Sequence, residues 1–313
     1  MGIKPSQFIW SQGELIPWEQ ATVHVLSHGL HYGSSVFEGI RAYNTPEGPA
    51  FFRLEEHIDR LFESARIHRM DVPYSKAQLH EACHAVVREN HLASAYIRPI
   101  IFYGYGSLGV TPMPDTIRVD VAAFEWGAYL GEEALAGGVD VGVCSWQRPA
   151  PNTFPTMAKA GGNYLLSSLM SREAKRNGYA EGIALDSRGF LSEGPGENLF
   201  IVKGGVIYTP SIENALLVGI TRDSIIRIAQ RLGYEVREQT LPREMLYVAD
   251  ELFFSGTAAE VTPIRSVDGL TVGEGRRGPV TEAIQKAFFD LVSGQAEDFA
   301  GWLKPMIGKE VAV

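Results

Sequence analysis

Thr156-Met157-Ala158-Lys159-Ala160-Gly161-Gly162-Asn163-Tyr164 sets a single lysine among residues small enough to let the backbone approach another group closely. Taken alone, it reads as an exposed lysine in a loop. Three later stretches change that reading. Ser192-Glu193-Gly194-Pro195-Gly196-Glu197-Asn198 places acids between glycines on a short turn. Gly219-Ile220-Thr221 opens an amphipathic helix, with Thr221 as the expected cap and Gly233 as its stop. Ser255-Gly256-Thr257-Ala258-Ala259 offers backbone amides behind the apolar Leu252-Phe253-Phe254. A lysine, a flanking acid and two anion-binding backbone sites suit a phosphorylated carbonyl cofactor, because helix starts and glycine-rich turns present N–H groups to phosphate.

Outward from this set, the hydrophobic period changes along the chain. Short strands are expected at residues 8–10, 36–43 and 49–52, then a helix carrying Leu54, Ile58, Leu61, Phe62 and Ala65 on one face. A second helix is expected from Ser75, a good N-cap, to Asn90, followed by strands at 96–103 and 117–124. Residues 126–138 are rich in Gly and Ala without a clear period and read as an interdomain loop. This gives a smaller α+β domain at 1–125 and a larger α+β cofactor domain at 139–313. Within the latter come a strand at 139–145, a helix at about 164–177 and two hairpins. One hairpin turns at Ser187-Arg188-Gly189, the other at Lys203-Gly204-Gly205.

Bulk properties exclude several classes. At 45% hydrophobic and 21% charged residues, the composition is that of a globular chain able to bury large cores. The net charge of −9 argues against a nucleic-acid or anionic-membrane surface, though not against a locally positive pocket. Cys83 and Cys144 are far apart and fit small core residues in a reducing compartment. MGIKPSQFIW lacks the apolar stretch of a secretory signal, and its match to a myristoylation pattern reads as coincidence. No membrane-spanning run is present, and a cytoplasmic setting is expected.

Two motifs mislead. Gly104-Tyr105-Gly106-Ser107-Leu108-Gly109 matches GxGxxG, but Val110-Thr111-Pro112-Met113-Pro114 follows, and its prolines forbid the helix that a dinucleotide site requires. His24, His28 and His31 lack both a helical register and a nearby acid before Glu38, so no metal site is expected.

The chain resembles the bacterial branched-chain aminotransferases, within the fold-type IV pyridoxal-phosphate enzymes. The resemblance runs from about Phe8 to Trp302. It rests on Ser27-His28-Gly29-Leu30-His31-Tyr32-Gly33, Val36-Phe37-Glu38-Gly39-Ile40-Arg41, His57-Ile58-Asp59-Arg60-Leu61 and Tyr96-Ile97-Arg98-Pro99. The lysine loop, Ser192-to-Phe200, Gly219-Ile220-Thr221-Arg222 and Ser255-Gly256-Thr257-Ala258 follow in the family's order. It implies an α+β, two-domain architecture of the fold-type IV aminotransferase kind.

The resemblance further implies roles. Lys159 would carry pyridoxal 5′-phosphate as an imine and then shuttle the substrate proton, a task for which a free lysine, with pKa about 10.4, is poorly suited without burial or a neighbouring positive charge. Glu193 would pair with the pyridine nitrogen and Tyr164 with the ring oxygen. Arg60, the amides of Ile220 and Thr221, and the Thr257 hydroxyl would hold the phosphate. Phe37, Tyr32, Tyr129, Trp126 and Val110 would wall an apolar pocket for leucine, isoleucine or valine. Tyr32 and Val110 would come from a neighbouring subunit, implying a homodimer or higher homo-oligomer. The amides of Thr257 and Ala258 would take the α-carboxylate, and Tyr96 with Arg98 the distal carboxylate of glutamate. Glu197 and Asn198 would support this shell. The expected reaction is exchange of amino groups between branched-chain L-amino acids and 2-oxoglutarate. D-amino-acid aminotransferases and aminodeoxychorismate lyase use an equivalent lysine and acid, and remain the alternatives; Tyr96-to-Pro99 and Val36-to-Gly39 favour the branched-chain reading. Pro195 and Phe254 depart from the common pattern, and Phe254 puts the ranking among the three substrates in doubt.

Overall fold

The computed structural model describes residues 3–127 and 131–306. The chain divides into two compact units, neither continuous in sequence. The first comprises Met1–Trp126, Ala158–Gly162 and Asp290–Val313, the second Gly127–Met157 and Asn163–Phe289.

In the first unit the strands are β1 (Phe8–Ser11), β2 (Glu14–Pro17), β3 (Ser35–Phe37), β4 (Ile40–Thr45), β5 (Gly48–Phe52), β6 (Ala95–Tyr103) and β7 (Ile117–Phe124). Its helices are α1 (His28–Tyr32), α2 (Leu54–Ile67) and α3 (Lys76–Glu89). The β1–β2 turn places Gln12 at φ 51° and Gly13 at φ 105°, both in the left-handed region that a tight hairpin turn uses. The expected cap of α3 is present: the Ser75 hydroxyl accepts from Gln78 N, and Gln78 Oε1 accepts from Ser75 N at 2.8 Å. Leu54, Ile58, Leu61 and Ala65 of α2 and Leu79, Cys83, Val86 and Val87 of α3 are buried in one core with Phe51, Ile97 and Ile101.

The segment read as one strand over 36–43 is two, β3 and β4, both antiparallel to β6. The break falls at Glu38-Gly39. Glu38 N donates to Pro99 O at 2.9 Å and the Glu38 side chain is fully buried. A Cβ on Gly39 would lie 1.9 Å from the Tyr96 hydroxyl, so only glycine fits there.

The second unit holds α4 (Glu132–Gly137), β8 (Val139–Gln147), α5 (Gly161–Arg176) from Asn163 onward, β9 (Glu181–Leu185), β10 (Asn198–Lys203) and β11 (Val206–Thr209). It continues with α6 (Ile220–Arg231), β12 (Val236–Glu238), α7 (Met245–Val248), β13 (Glu251–Gly256), β14 (Glu260–Val267), β15 (Leu270–Thr271) and α8 (Pro279–Val292) as far as Phe289. A final short strand, β16 (Leu303–Pro305), returns to the first unit and pairs with β5. The two eight-stranded sheets have orders β16-β5-β4-β6-β7-β1-β2 with β3 on β6, and β12-β11-β10-β13-β14-β8-β9 with β15 on β14. The second sheet mixes parallel pairs (β11–β12, β14–β8, β8–β9) with antiparallel ones, so the α+β class holds. The β10–β11 hairpin turns on Gly204 and Gly205 at φ 58° and 79°, as its two glycines require.

Several local expectations change. Residues 126–138 were expected to be loop, yet α4 forms between Gly131 (φ 95°) and Gly138 (φ 79°); it is too short to show a period. The helix expected from about Tyr164 starts at Gly161. The cap of α6 is Gly219, not Thr221, because a Cβ at Gly219 would meet Asn198 Oδ1 at 2.0 Å, and Thr221 is already in the first turn. The lysine loop, grouped by sequence with the second half, joins the first unit through a Val36–Ala160 bridge and a bond from Phe37 N to Lys159 O of 3.0 Å.

Candidate active site

Lys159 is half-buried between the buried Ala158 and Ala160. Its backbone is pinned from both sides, since Lys159 N also donates to Ser64 Oγ at 3.0 Å. The small residues are needed for this approach: a Cβ on Gly161 would meet Ser35 Oγ at 2.3 Å. The amine, Nζ, lies 5.2 Å from the centroid of the Phe37 ring. The lysine is thus fixed at its root and bounded by an aromatic face.

In the same unit, three charged or polar side chains form a buried cluster. Glu38 Oε1 accepts from Arg60 Nε at 2.7 Å and Oε2 from Arg60 Nη2 at 2.9 Å. Oε2 also bonds His57 Nδ1 at 2.7 Å, and because a carboxylate can only accept, that nitrogen carries the proton. Burial alone would raise the Glu38 carboxyl, but the charges and bonds of Arg60 and His57 outweigh it and hold the group well below the ordinary carboxylate range. For His57, burial pushes the imidazole below its usual pKa; Glu38 pulls it back, and the positive Arg60 and Lys159 push the same way as burial. Arg60 is therefore held by a counter-ion, while 12% of its side chain stays exposed.

Tyr96 and Arg98 both lie on β6. Tyr96 is buried and packs at 4.4 Å edge-on to Trp126. The Arg98 guanidinium lies 4.7 Å from the Phe37 ring centroid and 5.3 Å from that of Tyr96, and Nη2 donates to the Tyr96 hydroxyl at 3.1 Å. Arg98 pairs with no carboxylate among the described residues, and its buried Nε has no partner. A cation lined by aromatic faces and left without an acid is suited to an incoming carboxylate.

In the second unit, Glu193 is buried and accepts bonds on both oxygens. Arg148 Nη2 reaches Oε1 at 2.9 Å; Leu217 N and Asn198 Nδ2 reach Oε2 at 3.0 and 3.1 Å. Both oxygens thus meet donors only, an arrangement suited to pairing with a protonated ring nitrogen. At the start of α6, Ile220 and Thr221 are buried and Gly219 contributes no capping side chain. Arg222 locks this helix start by donating to Pro210 O at 2.9 Å and Glu238 Oε2 at 2.7 Å. Thr257 and Ala258 are half-buried in the turn joining β13 to β14. Tyr164, also half-buried, lies in the first turns of α5. These groups fit a phosphate-bearing pyridine.

Tyr32 and Val110 are the outliers. They are 48% and 82% exposed, and the Tyr32 hydroxyl donates to Leu108 O at 2.8 Å, so α1 and the glycine-rich loop are tied together at the surface. His28 bonds Ser34 Oγ at 2.6 Å and Gly109 O at 3.0 Å. Tyr129 lies outside the described residues. Burial raises both thiols, Cys144 to about 12, so neither is a thiolate at neutral pH. Among the described residues no helix is long and apolar enough to cross a membrane.

Three residues that matter here had no role in the sequence reading. Glu38 and His57 stand inside quoted motifs, and a histidine and an arginine at i and i+3 beside the buried Ile58 and Leu61 are a signal that could have been used. Arg148, just past the end of β8, carries no local signal at all.

The family model described as amino-transferase class IV matches residues 35–267, and the chain belongs to that family. The branched-chain-amino-acid aminotransferase of Salmonella typhimurium is 59% identical over 307 residues, covering 98% of this chain and 99% of the relative. The crystal structure of the Escherichia coli branched-chain amino acid aminotransferase superposes with a TM-score of 0.95 at 58% identity, covering 97% of this chain and 100% of that one. The branched-chain amino acid aminotransferase from Thermobaculum terrenum in its PLP-form gives a TM-score of 0.89 at 33% identity, over 97% of this chain and 99% of that one.

Proposed function

We propose that this chain exchanges amino groups between branched-chain L-amino acids and 2-oxoglutarate, with pyridoxal 5′-phosphate carried on Lys159, in a cytoplasmic setting. The bound cofactor supplies an aldehyde and a ring that accepts the electron pair left when the substrate Cα loses its proton. Lys159 Nζ takes that proton and returns one to complete the exchange. Arg60, the Ile220 and Thr221 amides and the Thr257 hydroxyl hold the phosphate; Glu193 accepts from the ring nitrogen and Tyr164 bonds the ring oxygen. The Thr257 and Ala258 amides orient the substrate α-carboxylate. Phe37 and Trp126, with Tyr129, Tyr32 and Val110, exclude water from an aliphatic side chain.

The observation that carries the substrate reading is Arg98, a cation against the Phe37 and Tyr96 rings with no acid partner among the described residues. It gives an otherwise apolar pocket one anchor for the distal carboxylate of glutamate. Arg98→Met should lower kcat/KM for glutamate by about 10- to 100-fold, the loss expected for a charged hydrogen bond, and leave the half-reaction with leucine near wild type. Equal losses for both substrates, or a half-reaction with D-alanine and none with L-leucine, would overturn the assignment.

Tyr32 and Val110, together with the exposed Val25, Leu30 and Leu108, make an apolar surface that a second copy of the chain would cover. Sedimentation should find a dimer or larger assembly, and Val110→Asp should shift it toward monomer with loss of activity.

A further inference from the structure

Glu193 owes its state to a residue that the reading above leaves unused. Arg148 and Glu193 have side chains only 5% and 8% exposed, and a carboxylate at that depth without a cation takes up a proton. Arg148 is a cation that pairs with it. Its backbone is fixed by donation from Arg148 N to Leu185 O at 2.8 Å, and its Nε donates to Ala215 O at 3.1 Å. The guanidinium, so anchored, turns Nη2 onto Glu193 Oε1. On the other oxygen Glu193 accepts from neutral donors, Asn198 Nδ2 and Leu217 N, while the nearby acid Glu197 turns its Oε2 to Gly196 N at 3.1 Å.

Ala215 makes the second, independent observation. It is buried and sits at φ 59°, a left-handed conformation that a side chain disfavours. Strain of this kind persists where the surroundings over-determine it. Here it turns the Ala215 carbonyl onto Arg148, and two residues later Leu217 N lies on Glu193. The same strap then passes through Gly219 into the first turn of α6. One guanidinium thus ties the acid-bearing turn to the segment that leads into the helix start. Lysine could not do this, because it lacks the planar fork that serves a carbonyl and a carboxylate together.

We propose that Arg148 is a positioning residue that keeps Glu193 ionised and aimed, and thereby keeps the ring nitrogen of bound pyridoxal 5′-phosphate protonated. The proposal rests on the reading of Glu193 as the partner of that nitrogen. The test uses holoenzyme loaded with cofactor isotopically labelled at the ring nitrogen, whose NMR shift separates protonated from neutral pyridine. The wild type should show the protonated form at neutral pH. Arg148→Gln should move the signal to the neutral form, and Arg148→Lys, which keeps the charge without the fork, should keep it protonated but lose the proton at lower pH than wild type. A protonated ring in Arg148→Gln beside a neutral ring in Glu193→Gln overturns the role of Arg148 alone. A protonated ring in both variants overturns the Glu193 reading beneath it. Should Arg148→Gln fail to fold, a wild-type titration curve in Arg148→Lys overturns the proposal by itself.

Discussion

The Glu38–His57–Arg60 cluster of the first unit and the Arg148–Glu193–Asn198 cluster of the second are built from the same chemistry with the roles exchanged. In the first, the anion is the support: Glu38 is fully buried, satisfied on both oxygens, and holds the partly exposed Arg60. In the second, the cation is the support, and the buried Arg148 holds Glu193. In each cluster one charge is held by a buried counter-ion. A buried charge without such a partner would change protonation state or destabilise the fold. The charge a ligand meets is therefore set one residue further back.

The largest effect should come from outside both clusters. Lys159→Ala removes the proton-carrying amine, which neither cluster replaces, and should lower transamination by at least about 10⁴-fold. Retained activity in single-turnover assays would remove Lys159 from its role and leave the two clusters without a reaction to support.

Breaking the first cluster at its support comes next. Glu38→Ala leaves the Arg60 charge buried without its pair and should cost about 3–5 kcal/mol of stability by urea unfolding. Adding Arg60→Met should recover part of that loss, whereas strictly additive losses would show that the two side chains are not coupled.

Acid sharpens the contrast, because only the first cluster contains a histidine. His57 binds its proton less readily in the folded chain than in the unfolded one, where the value is about 6.5. Between those values the unfolded state holds more protons, so stability rises with pH and is lost on acidification below about 6.5. Glu38, held low, contributes stability at neutral pH that goes only below about 4.3, as the unfolded carboxylate takes up its proton. Unfolding free energies measured between about pH 7.5 and 5.5 should fall more steeply in wild type than in His57→Gln; parallel curves would contradict this. The smallest change belongs to the second cluster. Ala215→Gly relieves the left-handed strain but frees the unfolded chain, for a net gain of about 0.5 kcal/mol. A loss of more than about 1 kcal/mol would mean that Ala215 is held by packing and not merely tolerated.

The sequence made some of this legible and hid the rest for a consistent reason. Lys159, Glu193 and the Gly219-Ile220-Thr221 start stand in short stretches whose glycines and small residues announce a close approach, so their importance is visible locally. Elements with a long period were equally readable: the buried faces of α2 and α3 and the Ser75 cap all form where expected. The break between β3 and β4 was not, because its cause, the Tyr96 phenol beside Gly39, lies on β6. The cap of α6 was misplaced for the same kind of reason: Asn198 from β10, not the local sequence, excludes a side chain from Gly219.

By itself, then, the sequence determined the α+β class and the elements with strong periodicity, and it singled out Lys159, Glu193 and the Gly219-Ile220-Thr221 start as candidates, since each follows from local residue type and spacing. Only the tertiary structure decided which charges those residues present. Arg98 is left without an acid among the described residues, Arg60 is held by Glu38, and Glu193 is held by Arg148. Protonation and orientation depend on burial and on partners brought from distant strands and helices, and neither is a property of the local chain.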